Sequence, residues 1–213
     1  MKHNKIALFG GSGLTGQHVL SLALDQGFEV KALARTPRKI SQSHPNLEVV
    51  QGDVLHAEDV LRSIEGTDAV VSLFGHVKDS PKWLQTRGTK NIIQAMQDEN
   101  IKKIISLSGG GLPFPEKDQP KFMDKAIRFI MKIAVPKVLN DAIEHAEVLK
   151  QSGLDWIIVR APRLTEESKK GEYRVGWVGV NASTKIGRAD LAPFIVDRIN
   201  DEKYIHQMPF VSY

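Results

Sequence analysis

The sequence contains no cysteine, which excludes disulfides, thiolate metal sites and cysteine nucleophiles. It also has little that is continuously hydrophobic. Only Ile6 to Phe9 form an apolar run before the first glycines, too short for the core of a secretory signal peptide. The most apolar later stretch, residues 126–135, is interrupted by Arg128 and Lys132 and cannot span a bilayer. Its seven histidines include no i, i+3 or i, i+4 pair, which argues against a zinc site. Charge of one sign is scarce too: 29 Lys and Arg against 25 Asp and Glu give a net charge of +4, spread along the chain rather than gathered into a nucleic-acid-binding patch. The expectation is a soluble, cytoplasmic enzyme or binding domain with a small-molecule ligand and neither nucleic acid nor membrane as a partner; the oligomeric state is left open.

What is present has the balance of a globular protein: 213 residues, 41% hydrophobic and 25% charged. Short apolar runs at 5–9, 29–34, 47–51, 69–73, 103–107 and 156–160 read as parallel strands buried on both faces. Helical patterns at 14–26, 57–64, 81–99 and 139–152 lie between them. This alternation predicts an α/β fold, a Rossmann-type doubly wound parallel sheet. After Arg160 the pattern changes to a strand-and-loop segment with one helix near 189–200. The expected organisation is one domain over 1–213, with a nucleotide-binding core over 1–160 and a small C-terminal substrate lobe over 161–213.

The first strand runs directly into GGSGLTG, with glycines at 10, 13 and 16. Gly10 suits the tight turn, Gly13 close approach of a pyrophosphate, and Gly16 close packing of helix on strand. The helix that follows offers free N–H groups to the anion, so Gly10, Gly13, Leu14, Thr15 and Gly16 are the expected pyrophosphate cradle. The P-loop alternative needs a Lys and then Ser or Thr after the last glycine, where this chain has Gln17 and His18. At the end of the second strand an NAD site carries an acid that holds the ribose hydroxyls. Here stand Arg35, Thr36 and Arg38, which suit a 2′-phosphate and point to NADP(H). Asp53 and Val54, after the third strand, are placed to receive the adenine, with Asp53 also a candidate helix N-cap.

The motifs GGSGLTG, ALART, QGDV, DAVVSLFG, KKIISLSGGG and SGLDWIIVRAP, in order over about residues 5–162, resemble the atypical short-chain dehydrogenase/reductases. Among them the chain is most similar to the flavin reductase/biliverdin reductase and NmrA-like group. The resemblance implies a nicotinamide near the ends of the fourth and fifth strands, lined by Phe74, Gly75, His76 and Ser108. Ser108 would be the catalytic-position serine, and Arg163 stands where those reductases carry a histidine beside the acceptor. One departure is definite. Carbonyl-reducing members use Tyr-x-x-x-Lys, the phenol acting as proton donor. The three tyrosines here are Tyr173, Tyr204 and Tyr213; Trp177 and Met208 follow the first two by four residues, and the third is terminal. Alignment from SGLDWIIVRAP puts Asn140 and Glu144 at the dyad positions.

That departure suits NADPH-dependent hydride transfer to a flavin (FMN or FAD) or a similar planar acceptor, whose protons can come from water. The alternatives are a non-catalytic NADP-binding redox sensor of NmrA type and, disfavoured by the missing Tyr and Lys, a sugar-nucleotide epimerase or dehydratase. Ser108 lies outside any G-x-S-x-G elbow, which argues against an esterase. Lys121, Lys125, Arg128 and Lys132 form a basic stripe opposite Met123, Ala126, Ile127, Ile130 and Met131. The expected structure there is an amphipathic helix with a solvated basic face, or a lid over the acceptor.

Overall fold

In the computed structural model, which describes residues 3–213, the sheet follows the predicted alternation. Met1 and Lys2, included in the expected domain, lie outside the described residues. The strands β1 (Lys5–Phe9), β2 (Glu29–Ala34), β3 (Leu47–Gln51), β4 (Ala69–Ser72), β5 (Lys103–Gly109) and β6 (Asp155–Ala161) pair in parallel in the order β3-β2-β1-β4-β5-β6. Crossovers α1 (Leu14–Asp25), α2 (Ala57–Ile64) and α3 (Leu84–Asp98) match the periodic segments to within a few residues. The predicted start of α3 at Pro81 is moved to Leu84 by Trp83, which takes a left-handed backbone (φ 59°). The basic segment is a separate helix α4 (Phe122–Ala134), divided from α5 (Pro136–Lys150) at Val135, where a proline at the first helical position fits a helix start.

Strand alternation divides the core. Ile6, Leu8, Ala32, Val71, Ile105 and Ile157 join Val19 and Leu20 of α1 in one cluster, completed by Leu191, Phe194 and Ile195. The intervening residues Ala7, Phe9, Leu33, Val70, Ile104 and Ile158 pack on the other face against Val60, Ile92, Met96, Ala146 and Leu149 of α2, α3 and α5. Two buried faces explain why the strands read as continuous apolar runs.

The segment expected to form a C-terminal lobe is woven into the same sheet. It adds β7 (Arg163–Thr165), β8 (Arg174–Gly176), β9 (Lys185–Gly187), α6 (Arg188–Asp197) and β10 (Phe210–Ser212). β10 lies parallel to β6, and β8 closes that edge antiparallel to β10. α6 packs on α1, while β7 and β9 form a small ladder of their own. Tyr213 is anchored through its hydroxyl, which donates to the buried Asp190 carboxylate at 2.7 Å.

The β1–α1 turn is compressed by backbone contact. Gly10 adopts φ +85°, and a Cβ there would stand 2.6 Å from the Phe74 nitrogen; a Cβ on Gly16 would lie 2.0 Å from the Gly10 carbonyl oxygen. Only glycine permits both approaches. Gly13 is different, because its extended backbone (φ −80°, ψ 165°) accepts a side chain and its Cβ would meet only the Gly10 carbonyl, at 3.2 Å. Gly16→Ala should therefore lower folding stability by about 1–3 kcal/mol through forced backbone displacement, whereas Gly13→Ala should melt near wild type; denaturant melts of the two variants measure the difference.

Candidate active site

The strand order reverses at β1, with β2 on one side and β4 on the other, so a crevice opens at the carboxyl ends of these strands. A cleft of about 100 Å³ there is lined by Gly10, Arg35, Asp53, Val54, Phe74 and Gly75, joined by Ser12 and Leu84. Four of the motifs, spread over residues 10–75, thus meet in one groove. Leu14 is 59% exposed beside it, Thr15 and Gly16 are buried in the turn, and Gly13 forms the N-cap of α1. Arg35 and Arg38 are exposed and make no ion pair among the described residues; Thr36 caps a short 3₁₀ turn between them. Free guanidinium groups at this rim fit a nucleotide phosphate.

Asp53 is not a helix N-cap, a role its sequence position allowed; His56 holds that place in α2. Its carboxylate instead accepts the Leu55 N–H at 3.0 Å, and its own N–H donates to Asp59 at 2.9 Å. That bond, with the Arg62 guanidinium at 2.6 Å, holds the Asp59 carboxyl below its ordinary range. Gly88 is a contributor the sequence reading missed. A Cβ there would be 2.7 Å from the Phe74 ring and 2.9 Å from Val54, so α3 must be bare at this point to seat both.

Between α3, α5 and β5 lies a column of buried polar groups. The fully buried Asp141 carboxylate of α5 accepts the N–H groups of Gln85 and Thr86 at 2.9 Å each and the Thr86 hydroxyl at 2.5 Å. It thereby supplies from another helix the N-terminal cap that Trp83 does not give α3. His76 Nε2 completes the set at 2.6 Å. Burial works to raise this carboxyl, but the bonds from Thr86, Gln85 and His76 outweigh it and hold it below the usual range. One turn down α5, His145 bridges the Thr89 hydroxyl at 2.8 Å and the Ser106 hydroxyl at 3.0 Å. Ser108 points to the same face of β5 as Ser106, and its hydroxyl is buried without a partner. An orphaned hydroxyl at the carboxyl end of β5 fits a nicotinamide carboxamide or an acceptor group.

Asn140 and Glu144, aligned with the catalytic dyad, are exposed on α5 and line neither cleft. The inward face belongs to their neighbours Asp141 and His145. The helical phase set by Leu139, Ala142, Ala146 and Leu149 carries that signal, which motif alignment passed over.

Beside β5 and β6 a second, mainly apolar cleft of about 710 Å³ lies between the glycine loop, α4 and the β6–β9 region. Its wall includes the exposed Arg163, the half-buried Met131 and Pro162, and the buried Leu112 and Phe210. Its frame is set by Arg160, fully buried at the end of β6. The guanidinium donates to both Asp118 carboxylate oxygens (2.7 and 2.8 Å), to the Leu112 carbonyl (2.9 Å) and to the Met208 carbonyl (2.8 Å). Asp118 also accepts the N–H groups of Phe114 and Val178. The expected amphipathic helix is present, with Lys121, Lys125 and Lys132 exposed as expected; Asp124, Lys125, Ile127, Arg128 and Met131 of α4 line this cleft, while Phe122, Phe129, Ile130 and Ile133 face out.

Comparison with known proteins agrees with this geometry. Residues 10–202 match a family model described as NAD(P)H-binding. A 3-beta-hydroxysteroid dehydrogenase from Mycolicibacterium neoaurum is 28% identical over 113 residues, covering 47% of this chain and 31% of that protein. The Bacillus subtilis protein YwnB is 24% identical over 208 residues, 94% of each chain. A short-chain dehydrogenase/reductase (wide type) from Veillonella parvula, solved in complex with NADP, superposes with a TM-score of 0.81 at 17% identity, over 99% of this chain and 95% of that one. The chain spans 31% to 63% of the length of the first curated relatives it matches.

Two outcomes are expected for the buried groups. Arg160→Ala should cost about 3–5 kcal/mol, because it strands the Asp118 charge, while the double change Arg160→Met with Asp118→Leu should recover much of that loss in denaturant melts. Burial, more than the opposing pull of Asp141, pushes the His145 pKa from 6.5 down to about 4. The unfolded chain then binds a proton that the folded one refuses, so stability should fall as pH drops from 6.5 toward 4, by up to about 3 kcal/mol. His145→Gln should flatten that part of the stability–pH profile.

Proposed function

The chain belongs to the NAD(P)H-binding family, and from that premise we propose that it is an NADPH-dependent oxidoreductase passing hydride to a flavin or similar planar acceptor. The observation that carries the reading is the roomy apolar cleft abutting the strand ends where the nicotinamide is expected, in a chain without a Tyr-x-x-x-Lys pair. NADPH supplies the hydride when bound. Gly10, Gly13, Leu14, Thr15 and Gly16 would hold its pyrophosphate, Arg35, Thr36 and Arg38 its 2′-phosphate, and Asp53 and Val54 its adenine. Phe74, Gly75, His76 and Ser108 would orient the ring, and Arg163 would steady the acceptor. For such an acceptor the protein contributes chiefly proximity and exclusion of water, since the protons can be drawn from solvent.

The cofactor preference rests on Arg35 and Arg38, exposed and in no ion pair among the described residues. A charge-assisted bond from guanidinium to phosphate is worth about 1.5–3 kcal/mol. Arg35→Asp should therefore weaken NADPH binding by roughly ten- to a hundredfold and leave NADH little changed, with the NADPH effect shrinking at high salt. Calorimetric titration with both nucleotides checks this, and equal wild-type affinities would refute the NADP assignment.

Turnover is tested by following NADPH oxidation with FMN, FAD or a quinone. Acceptor-dependent oxidation supports the enzyme. Tight NADP(H) binding without oxidation by any of these acceptors would favour the second reading, a redox sensor of NmrA type, to which the exposed polar residues at the dyad positions also lend support.

A further inference from the structure

Helix α4 has no buried residue. Phe122, Met123, Phe129, Ile130 and Ile133 are 83, 65, 64, 61 and 68% exposed, and Val135 and Val138 continue the apolar surface into α5. These side chains recur at helical spacing, so they form one continuous outward face. Grouped exposed apolar residues of this kind mark an interaction surface. The helix is bordered by the exposed Lys121, Lys125, Lys132 and Lys137, none of them in an ion pair among the described residues, while Arg128 turns toward the cleft; its single acid is Asp124. From the sequence alone no membrane partner is expected. With the apolar face turned outward, Phe122 and Phe129 are exposed between the cations.

We propose that α4 docks on an anionic lipid bilayer surface, lying in the interface with its apolar face inserted. This is the arrangement taken by amphipathic helices with a cationic polar side and aromatic or branched residues opposite. Charge favours lipid over a second copy of the chain. Face-to-face pairing would oppose two sets of uncompensated cations, whereas an anionic headgroup layer complements them. No helix among the described residues is long and apolar enough to cross a membrane, so the contact would be peripheral. The opposite side of α4 borders the apolar cleft, and docking would bring that cleft to the boundary where lipophilic molecules partition. The docking itself does not rest on the proposed turnover.

Co-sedimentation of the whole chain with vesicles of phosphatidylcholine alone, or of equal parts phosphatidylcholine and phosphatidylglycerol, tests this without nucleotide. Binding is expected to the anionic vesicles, weakening as salt rises. The double variant Phe129→Glu with Ile133→Glu should lower partitioning at least roughly tenfold, with NADPH affinity unchanged as evidence of an intact fold. Lys132→Glu with Lys137→Glu, at exposed sites, should reduce the preference for the anionic vesicles. Absence of binding to anionic vesicles, or binding that both double variants retain, would overturn the proposal. So would a stable dimer in solution that Phe129→Glu with Ile133→Glu separates, since the face would then belong to a second copy.

Discussion

Asp118 and Arg160 lie 42 residues apart and meet as a two-point ion pair in the interior. A buried pair of this kind is stabilising only when its remaining hydrogen-bonding capacity is filled, and here it is. The carboxylate takes two backbone N–H groups from separate segments, and the guanidinium reaches two carbonyls, Leu112 in the same loop as Phe114 and Met208 in a third segment. The Phe114 and Phe210 rings stand against the guanidinium at 5.8 and 5.7 Å. The glycine loop, the lead-in to β10 and the segment after β8 are therefore fixed to the end of β6 by one group. Those are the walls of the larger cleft, so its shape depends on this pair more than on regular secondary structure.

The smaller cleft has a different origin. It arises from the backbone contact of Gly16 with Gly10 and of Gly10 with the β4 end, which draws α1, β1 and the Phe74 loop within van der Waals range. Strand order then places β5 and β6 beside β4. The row Gly75, Ser108 and Arg163 thus runs from one cleft to the other along the carboxyl edge of the sheet, a path suited to a nucleotide at one end and a second reactant at the other.

Between the two clefts the protein carries a polar column inside an otherwise apolar layer. Asp141 caps α3 from a neighbouring helix and orients His76, while His145 couples α3 to β5. Within this column each buried side chain has a partner except Ser108, whose Oγ has none among the described residues. An unpaired hydroxyl among satisfied neighbours is costly to keep, which suits a group reserved for a ligand.

The sequence by itself determined the sheet, the crossover helices and the glycine turn, because these follow from local periodicity and from conformations that only glycine adopts. The rim residues Arg35 and Asp53 were legible because each stands within two residues of a strand end fixed by its apolar run, and Phe74 came with the family resemblance. What only tertiary structure decided depends on distant partners. Nothing local marks Asp118 as the mate of Arg160, Asp141 as the cap of α3, or Gly88 as the space for Phe74. The role of 161–213 was equally hidden, since three-residue strands such as β8 and β10 are too short to show a period and exist because a neighbouring strand offers an edge. The facing of α4 belongs here too. Periodicity shows that a helix has two unlike faces, but which one meets the protein is settled by the surface beside it, and that surface is a cleft lined by Arg163 and the glycine loop.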